Sequence, residues 1–216
     1  MASQGAGAHR KGASRELKVA KQLTKMFPGI EFHRTAYSGS TSNSMAQQGA
    51  TGWSGDLFPD AGNPLDGLFS IEVKDHMTFK LSQVFTNGAT FRSFLQQNVT
   101  DARRGSKNVP VLIMHSQQER EDIVTIPFQQ DMFTYLANHD FPAMITHGKY
   151  EDERTEITNE FDLIVTNLKG FGSPSSKQLH KWYKGLPWDS YNENKKAPVD
   201  EIDVDKIVDE ITEDES

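Results

Sequence analysis

The chain has 216 residues, 36% of them hydrophobic and 25% charged, which suits one globular domain with extensions. Thirteen Phe, five Tyr and three Trp need burial and exclude disorder throughout, no apolar run is long enough to span a membrane, and the lack of Cys excludes disulfide scaffolds, thiolate zinc sites and cysteine nucleophiles. The net charge of −7 is uneven: residues 199–216 carry −8, so the other 198 sum to +1, and residues 1–34 hold seven Lys/Arg against two Glu.

Residues 1–9 are small and Gly/Ala-rich and read as disordered, with no apolar stretch of a secretory signal. From Ala13 to Phe27 the pattern is helical, with Ala20, Leu23 and Phe27 on one face, Leu17 beside it, and Pro28-Gly29 as the stop. Ile30–Thr35 reads as a short strand, and the polar Ser/Gly-rich stretch Tyr37 to Gly52 as a loop. Gly55–Phe58 starts a strand, residues 60–67 (DAGNPLDG) make turns, and Leu68–Lys74 is a clearer strand. After a break at Asn87-Gly88, Phe91, Phe94, Leu95, Val99 and Ala102 have the spacing of an amphipathic helix. Val109–His115 is apolar on both faces, as a buried strand is, and Ile123–Phe128 and Gln129–Asn138 read as a further strand and helix. Beyond Tyr150 one apolar run remains at Phe161–Val165, and residues 171–198 look like an arm or linker with scattered aromatics. The order of elements implies an α/β fold with a mixed central sheet flanked by helices.

Glu16 falls on the same helical stripe as Ala20, Leu23 and Phe27. It is either a carboxylate buried with a purpose or a first-turn acid that complements the helix dipole. In Ile71-Glu72-Val73-Lys74, strand alternation puts Glu72 and Lys74 on one face. Asp56 and Glu72, from adjacent strands, could converge on a hard cation such as magnesium, with Lys74 beside them to stabilise developing negative charge. The alternative is a solvent-facing strand with an incidental Glu/Lys pair. The triplet is weak by itself, since Glu193-Asn194-Lys195 also matches it in a polar tail.

Residues 10–29 (RKGASRELKVAKQLTKMFPG), then FHRTAYSGS, GDLF and FSIEVKDH, together resemble the PD-(D/E)XK nuclease superfamily, within it the archaeal Holliday-junction resolvases and phage-type resolvase-like endonucleases. The matching positions are Arg10-Lys11-Gly12 and Glu16, Ser38-Gly39-Ser40, Asp56, and Glu72-Val73-Lys74, within residues 10–115. A Gly stands where the family has a proline before the Asp, and the Asp56–Glu72 gap is long, which leaves Asp60 as a rival for Asp56. The resemblance implies a restriction-endonuclease-like core (αβββαβ) over residues 10–150, a C-terminal extension over 151–198 and an acidic tail over 199–216. It implies metal-dependent DNA hydrolysis in the cytoplasm, or the host cytoplasm if the source is viral, with Mg2+ as cofactor and Mn2+ as substitute. Asp56, Glu72, the Val73 carbonyl and Glu16 would ligate the metal, and Lys74 would activate water. Arg10, Lys11, Arg34, Ser38, Ser40 and Gln97 would contact DNA. Such enzymes act as homodimers.

The alternative is a non-catalytic nucleic-acid-binding or interaction protein that keeps the nuclease fold. In the tail, Ile202, Ile207, Val208 and Ile211 lie at near-helical spacing, so the tail is either a solubilising segment or a docking helix for a protein partner. Arg103, Arg104 and Lys107 form a basic cluster at a helix end, suited to the dipole or to DNA.

Overall fold

The computed structural model describes residues 4–35, 55–104, 108–116, 121–151 and 158–189. The expected loop at Tyr37 to Gly52, Ser38, Ser40, Lys107 and the acidic tail lie outside the described residues. The first helix, α1 (Gln4–Met26), buries Val19, Ala20 and Leu23, and Phe27 follows at its end. Gly29, at φ +83°, turns the chain after it. The helix starts well before Ala13, so the expectation of a disordered residue 1–9 segment is corrected from Gln4 onward. Residues 4–9 contain no proline or β-branched residue, and a helix already nucleated by core packing continues through them although Gly5 and Gly7 each cost about 1 kcal/mol against Ala. Leu17 is half exposed, since the buried stripe runs through Val19 instead.

Strand β1 (Phe32–Arg34) is tied back to α1 by its Phe32 N–H, which donates to Thr24 Oγ1 at 2.9 Å. It pairs antiparallel with β2 (Leu57–Pro59), and β2 in turn meets β3 (Phe69–Asp75) at a single Cα pair, Leu57 with Ile71. Two helices, α2 (Ser82–Phe85) and α3 (Ala89–Arg104), carry the chain over to β4 (Val109–His115). β4 lies parallel to β3 along all seven residues, as a helical crossover requires. Asn98 Nδ2 donates to the Ser70 carbonyl at 3.0 Å and fixes α3 on this pair.

Next come β5 (Ile123–Pro127), α4 (Gln130–Asn138), β6 (Met144–Glu151), β7 (Thr158–Asn167), α5 (Leu168–Phe171) and α6 (Ser176–Tyr183). The seven strands form one mixed sheet in the order β1-β2-β3-β4-β5-β7-β6, flanked by helices. The reading of residues 171–198 as an arm is therefore corrected for 171–189. Phe171 and Tyr183 pack edge-on against Phe69 at 5.7 and 5.6 Å, and Trp188 stacks at a tilt on Phe161 at 5.9 Å. Burying each such ring is worth roughly 2–3 kcal/mol, which a sparse polar segment gains only in tertiary context. Arg103 closes this region with a two-point grip on Asp189, at 3.0 and 2.7 Å, so its role in the described fold is structural. Among the described residues, no helix is long and apolar enough to cross a membrane.

Candidate active site

Four elements bring acids toward the start of the β2–β3 pair. Gly55 has φ +89°, and a Cβ there would stand 2.5 Å from the Ile71 carbonyl oxygen, so only glycine fits. Its carbonyl accepts from Thr35 Oγ1 at 2.8 Å. This close approach lets the Asp56 N–H donate to Ile71 O at 2.7 Å, and it turns the Asp56 side chain onto β3, where Oδ2 accepts the Val73 N–H at 2.9 Å. Asp56 thus lies alongside Glu72, with both carboxylates buried.

Glu72 is 2% exposed. Its Oε1 accepts from Gln97 Nε2 at 2.7 Å and from Lys74 Nζ, while Lys74 Nζ also donates to Gln97 Oε1 at 2.8 Å. The three side chains close a ring, and the ammonium also stands 5.8 Å from the Phe94 ring centroid. Glu16, buried on α1, is ion-paired with Arg34 of β1. The choice left open for Glu16 thus resolves toward a buried, paired carboxylate.

Burial and mutual repulsion oppose ionisation here. Burial first, then the Glu16 and Asp101 charges, push Asp56 up to about 6, against the Val73 N–H and Lys74. Burial and the Asp56 charge push Glu72 up to about 8, despite Lys74. Asp101, one turn after Gln97 on α3, acts on both groups and went unnoticed in the sequence. An acid on an amphipathic helix reads as solvated surface; the signal would have been its i+4 spacing from Gln97.

The donor set is hard oxygen on a protonation-prone cluster, which a divalent cation would relieve, so these residues fit such an ion. Asp56, Glu72 and the Val73 carbonyl would be the groups to hold it, with Glu16, paired to Arg34, as a further carboxylate. Within the cluster Glu72 is bonded to Lys74 and Gln97, Asp56 to the Val73 N–H, and Glu16 to Arg34. Among the described residues, the trio with donor atoms all within 4.8 Å is instead Glu31, His33 and Asp60 on the surface. Asp60 is exposed and bonded to His33 at 2.7 Å, which takes it away from Glu72.

Of the other expected site residues, Gln97 and Arg34 join the cluster through Glu72 and Glu16. Arg10 and Lys11 are positions on α1. Arg34 thus meets a carboxylate here, whereas it was expected on DNA.

A family model described as "Phage putative PDDEXK endonuclease" matches residues 7–184, most of the chain. No curated protein and no solved structure matches it.

Proposed function

The chain belongs to the phage PDDEXK endonuclease family, and on that premise we propose that it hydrolyses DNA phosphodiester bonds with Mg2+, or Mn2+ in its place. The carrying observation is the joint placement of Glu72 and Lys74 on one face of β3 with Asp56 locked to the same strand through the Val73 N–H. In this reading Asp56, Glu72 and the Val73 carbonyl hold the cation, and Glu16 and Asp101 add negative potential around it. A bound divalent cation supplies Lewis acidity at the phosphoryl oxygen and lowers the pKa of a bound water. Lys74, held by Gln97 and Glu72, orients the attacking water and steadies the charge that develops on the phosphorane-like transition state. Arg10, Lys11, Ser38 and Ser40 would contact phosphates of the DNA.

The reading extends to the fold and to the substrate. α1 through β4 make an αβββαβ restriction-endonuclease-like core, and β5 to α6 enlarge its sheet. Selectivity for a branched DNA structure, as in resolvase-like enzymes, and a homodimer that makes paired cuts, belong to the same proposal, as does action in the host cytoplasm.

The test is cleavage of labelled four-way junction, flap, duplex and single-stranded DNA, with Mg2+ or EDTA, by the wild type and Lys74→Ala. Expected is metal-dependent cutting on one preferred substrate, reduced at least about 100-fold by Lys74→Ala, as for loss of a group that stabilises the transition state. DNA binding without cutting in Mg2+ or Mn2+ would replace this reading with the non-catalytic binding protein.

A further inference from the structure

The line that Glu72 and Lys74 begin on β3 continues one step past the strand's end. The His76 N–H donates to the His115 carbonyl at 3.1 Å, which carries the β3–β4 ladder one residue beyond Asp75. Alternation puts His76 on the face of Glu72 and Lys74, about 6.6 Å beyond Lys74 along the strand, with Asp75 turned to the opposite face. The Phe94 ring meets both side chains of that face. The Lys74 ammonium stands 5.8 Å from its centroid, and the His76 ring lies edge-on to it at 5.8 Å.

His76 is braced at every polar atom but one. Its carbonyl accepts from the Phe79 N–H at 3.3 Å, and Phe79, buried in the core, packs at a tilt on Phe94 at 6.1 Å. The ring's Nδ1 is bonded to Thr78 Oγ1 at 3.3 Å. With the Thr78 hydroxyl as donor, the neutral ring carries its proton on Nε2. Among the described residues Nε2 has no hydrogen-bond partner, and the side chain is half-buried, so the ring presents a donor from an orientation already fixed. A group held in this way loses little further freedom when a ligand meets it.

The acceptor follows from what stands beside it. In the proposed reaction the scissile phosphate sits at Asp56, Glu72 and Lys74, and a DNA strand lying there brings its next phosphate one nucleotide further along. At least about half of protein–DNA hydrogen bonds go to phosphate and sugar oxygens, which accept from N–H donors.

We infer that His76 is a substrate-binding residue whose Nε2–H donates to the phosphate adjoining the one that is cut, with Phe94 as the spacer that sets its distance from Lys74. This rests on the nuclease reading and deepens it. The contact aligns the strand on the Lys74 side of the site and carries no base information, so it leaves the sequence that is cut unrestricted.

The test is DNA binding by the full chain in Ca2+, read by fluorescence anisotropy on the tightest-bound member of the junction, flap, duplex and single-strand panel. That DNA is prepared as a series in which one phosphate at a time is an uncharged methylphosphonate. The wild type is expected to lose about tenfold or more in affinity at one position, the scale of a hydrogen bond to a charged acceptor. His76→Ala loses the same factor on unmodified DNA and nothing further at that position, and His76→Gln, which keeps an N–H donor, recovers most of it. Melting temperatures of both variants check the fold. Cleavage in Mg2+ then places the coupled position next to the cut, with the His76→Ala loss falling on KM more than on kcat, as for a contact made equally before and in the transition state. Absence of DNA binding, unchanged affinity in His76→Ala, methylphosphonate losses that persist undiminished in His76→Ala, a coupled position elsewhere, or a loss in kcat alone overturns the contact. Coupling without cutting sinks the nuclease reading alone, and cutting without coupling sinks the His76 contact alone.

Discussion

Replacing Glu72 by Gln removes an ionisable group from the most buried position of the acidic cluster while keeping a side-chain oxygen for Gln97 and Lys74. In the metal-free fold the Glu72 carboxyl is raised from 4.5 to about 8, so the folded protein binds its proton more tightly than the unfolded chain does. Stability from this group is therefore greatest below pH 4.5, falls as the pH rises, and reaches its full loss above about 8. The same linkage gives a penalty of about 1 kcal/mol at pH 5 and about 3 kcal/mol at pH 7, which the amide does not carry. Glu72→Gln is thus expected to be the more stable protein in EDTA, by a margin that grows about threefold between pH 5 and pH 7, while it cuts no DNA. Urea unfolding at pH 5, 6, 7 and 8 measures this directly. A margin that stays flat with pH, or a variant less stable than the wild type at pH 7, would show that Glu72 is not held against its charge and would remove the argument that a cation relieves the cluster.

Other outcomes follow from the same geometry. Gly55→Ala forces a side chain into a left-handed backbone and onto the Ile71 carbonyl, and is expected to lower stability by about 2–4 kcal/mol and to abolish cleavage, read by melting and by the DNA panel. Tyr183→Phe loses the hydroxyl's 3.3 Å bond to the Pro127 carbonyl and should cost about 1 kcal/mol in urea unfolding, with cleavage intact. Calcium at about 100 times its dissociation constant should stabilise the wild type by about 2.7 kcal/mol at pH 8, and Glu72→Gln far less at the same concentration. An equal shift in both proteins would place the ion elsewhere, with Glu31, His33 and Asp60 as the first place to look.

What the sequence made legible had local causes. The Glu72–Lys74 face and the α3 stripe follow from side-chain periodicity and β4 from an unbroken apolar run, and the structure has each where that pattern places it. The contact of Asp56 with β3 is different in kind. It depends on Gly55 passing under Ile71, a tertiary approach that no spacing encodes. β6 escaped notice because it is an edge strand of mostly polar residues, Met144–Glu151, held by its ladder to β7. The segment around α6 escaped because Tyr183 and Trp188 find their partners, Phe69 and Phe161, more than twenty residues away. Asp101 was hidden because it lies at the edge of the α3 core stripe, where an acid reads as solvated surface.

The single-pair junction between β2 and β3 has a consequence for solubility. Among the described residues, the β2 ladder stops at Ile71, while β3 continues to Asp75 with β4 on its other side. A strand that loses a neighbour midway leaves backbone groups with which another chain's strand can pair. The Asp56 carboxylate occupies the Val73 N–H at that gap, and the half-buried Lys74 ammonium follows, a charged position of the kind that natural sheets use where a strand has lost its neighbour. On the proposed function, the carboxylate that would hold the cation thus also covers the strand's spare backbone donor, and Asp56→Ala, which uncovers the Val73 N–H, is expected to raise aggregation, read by light scattering on heating.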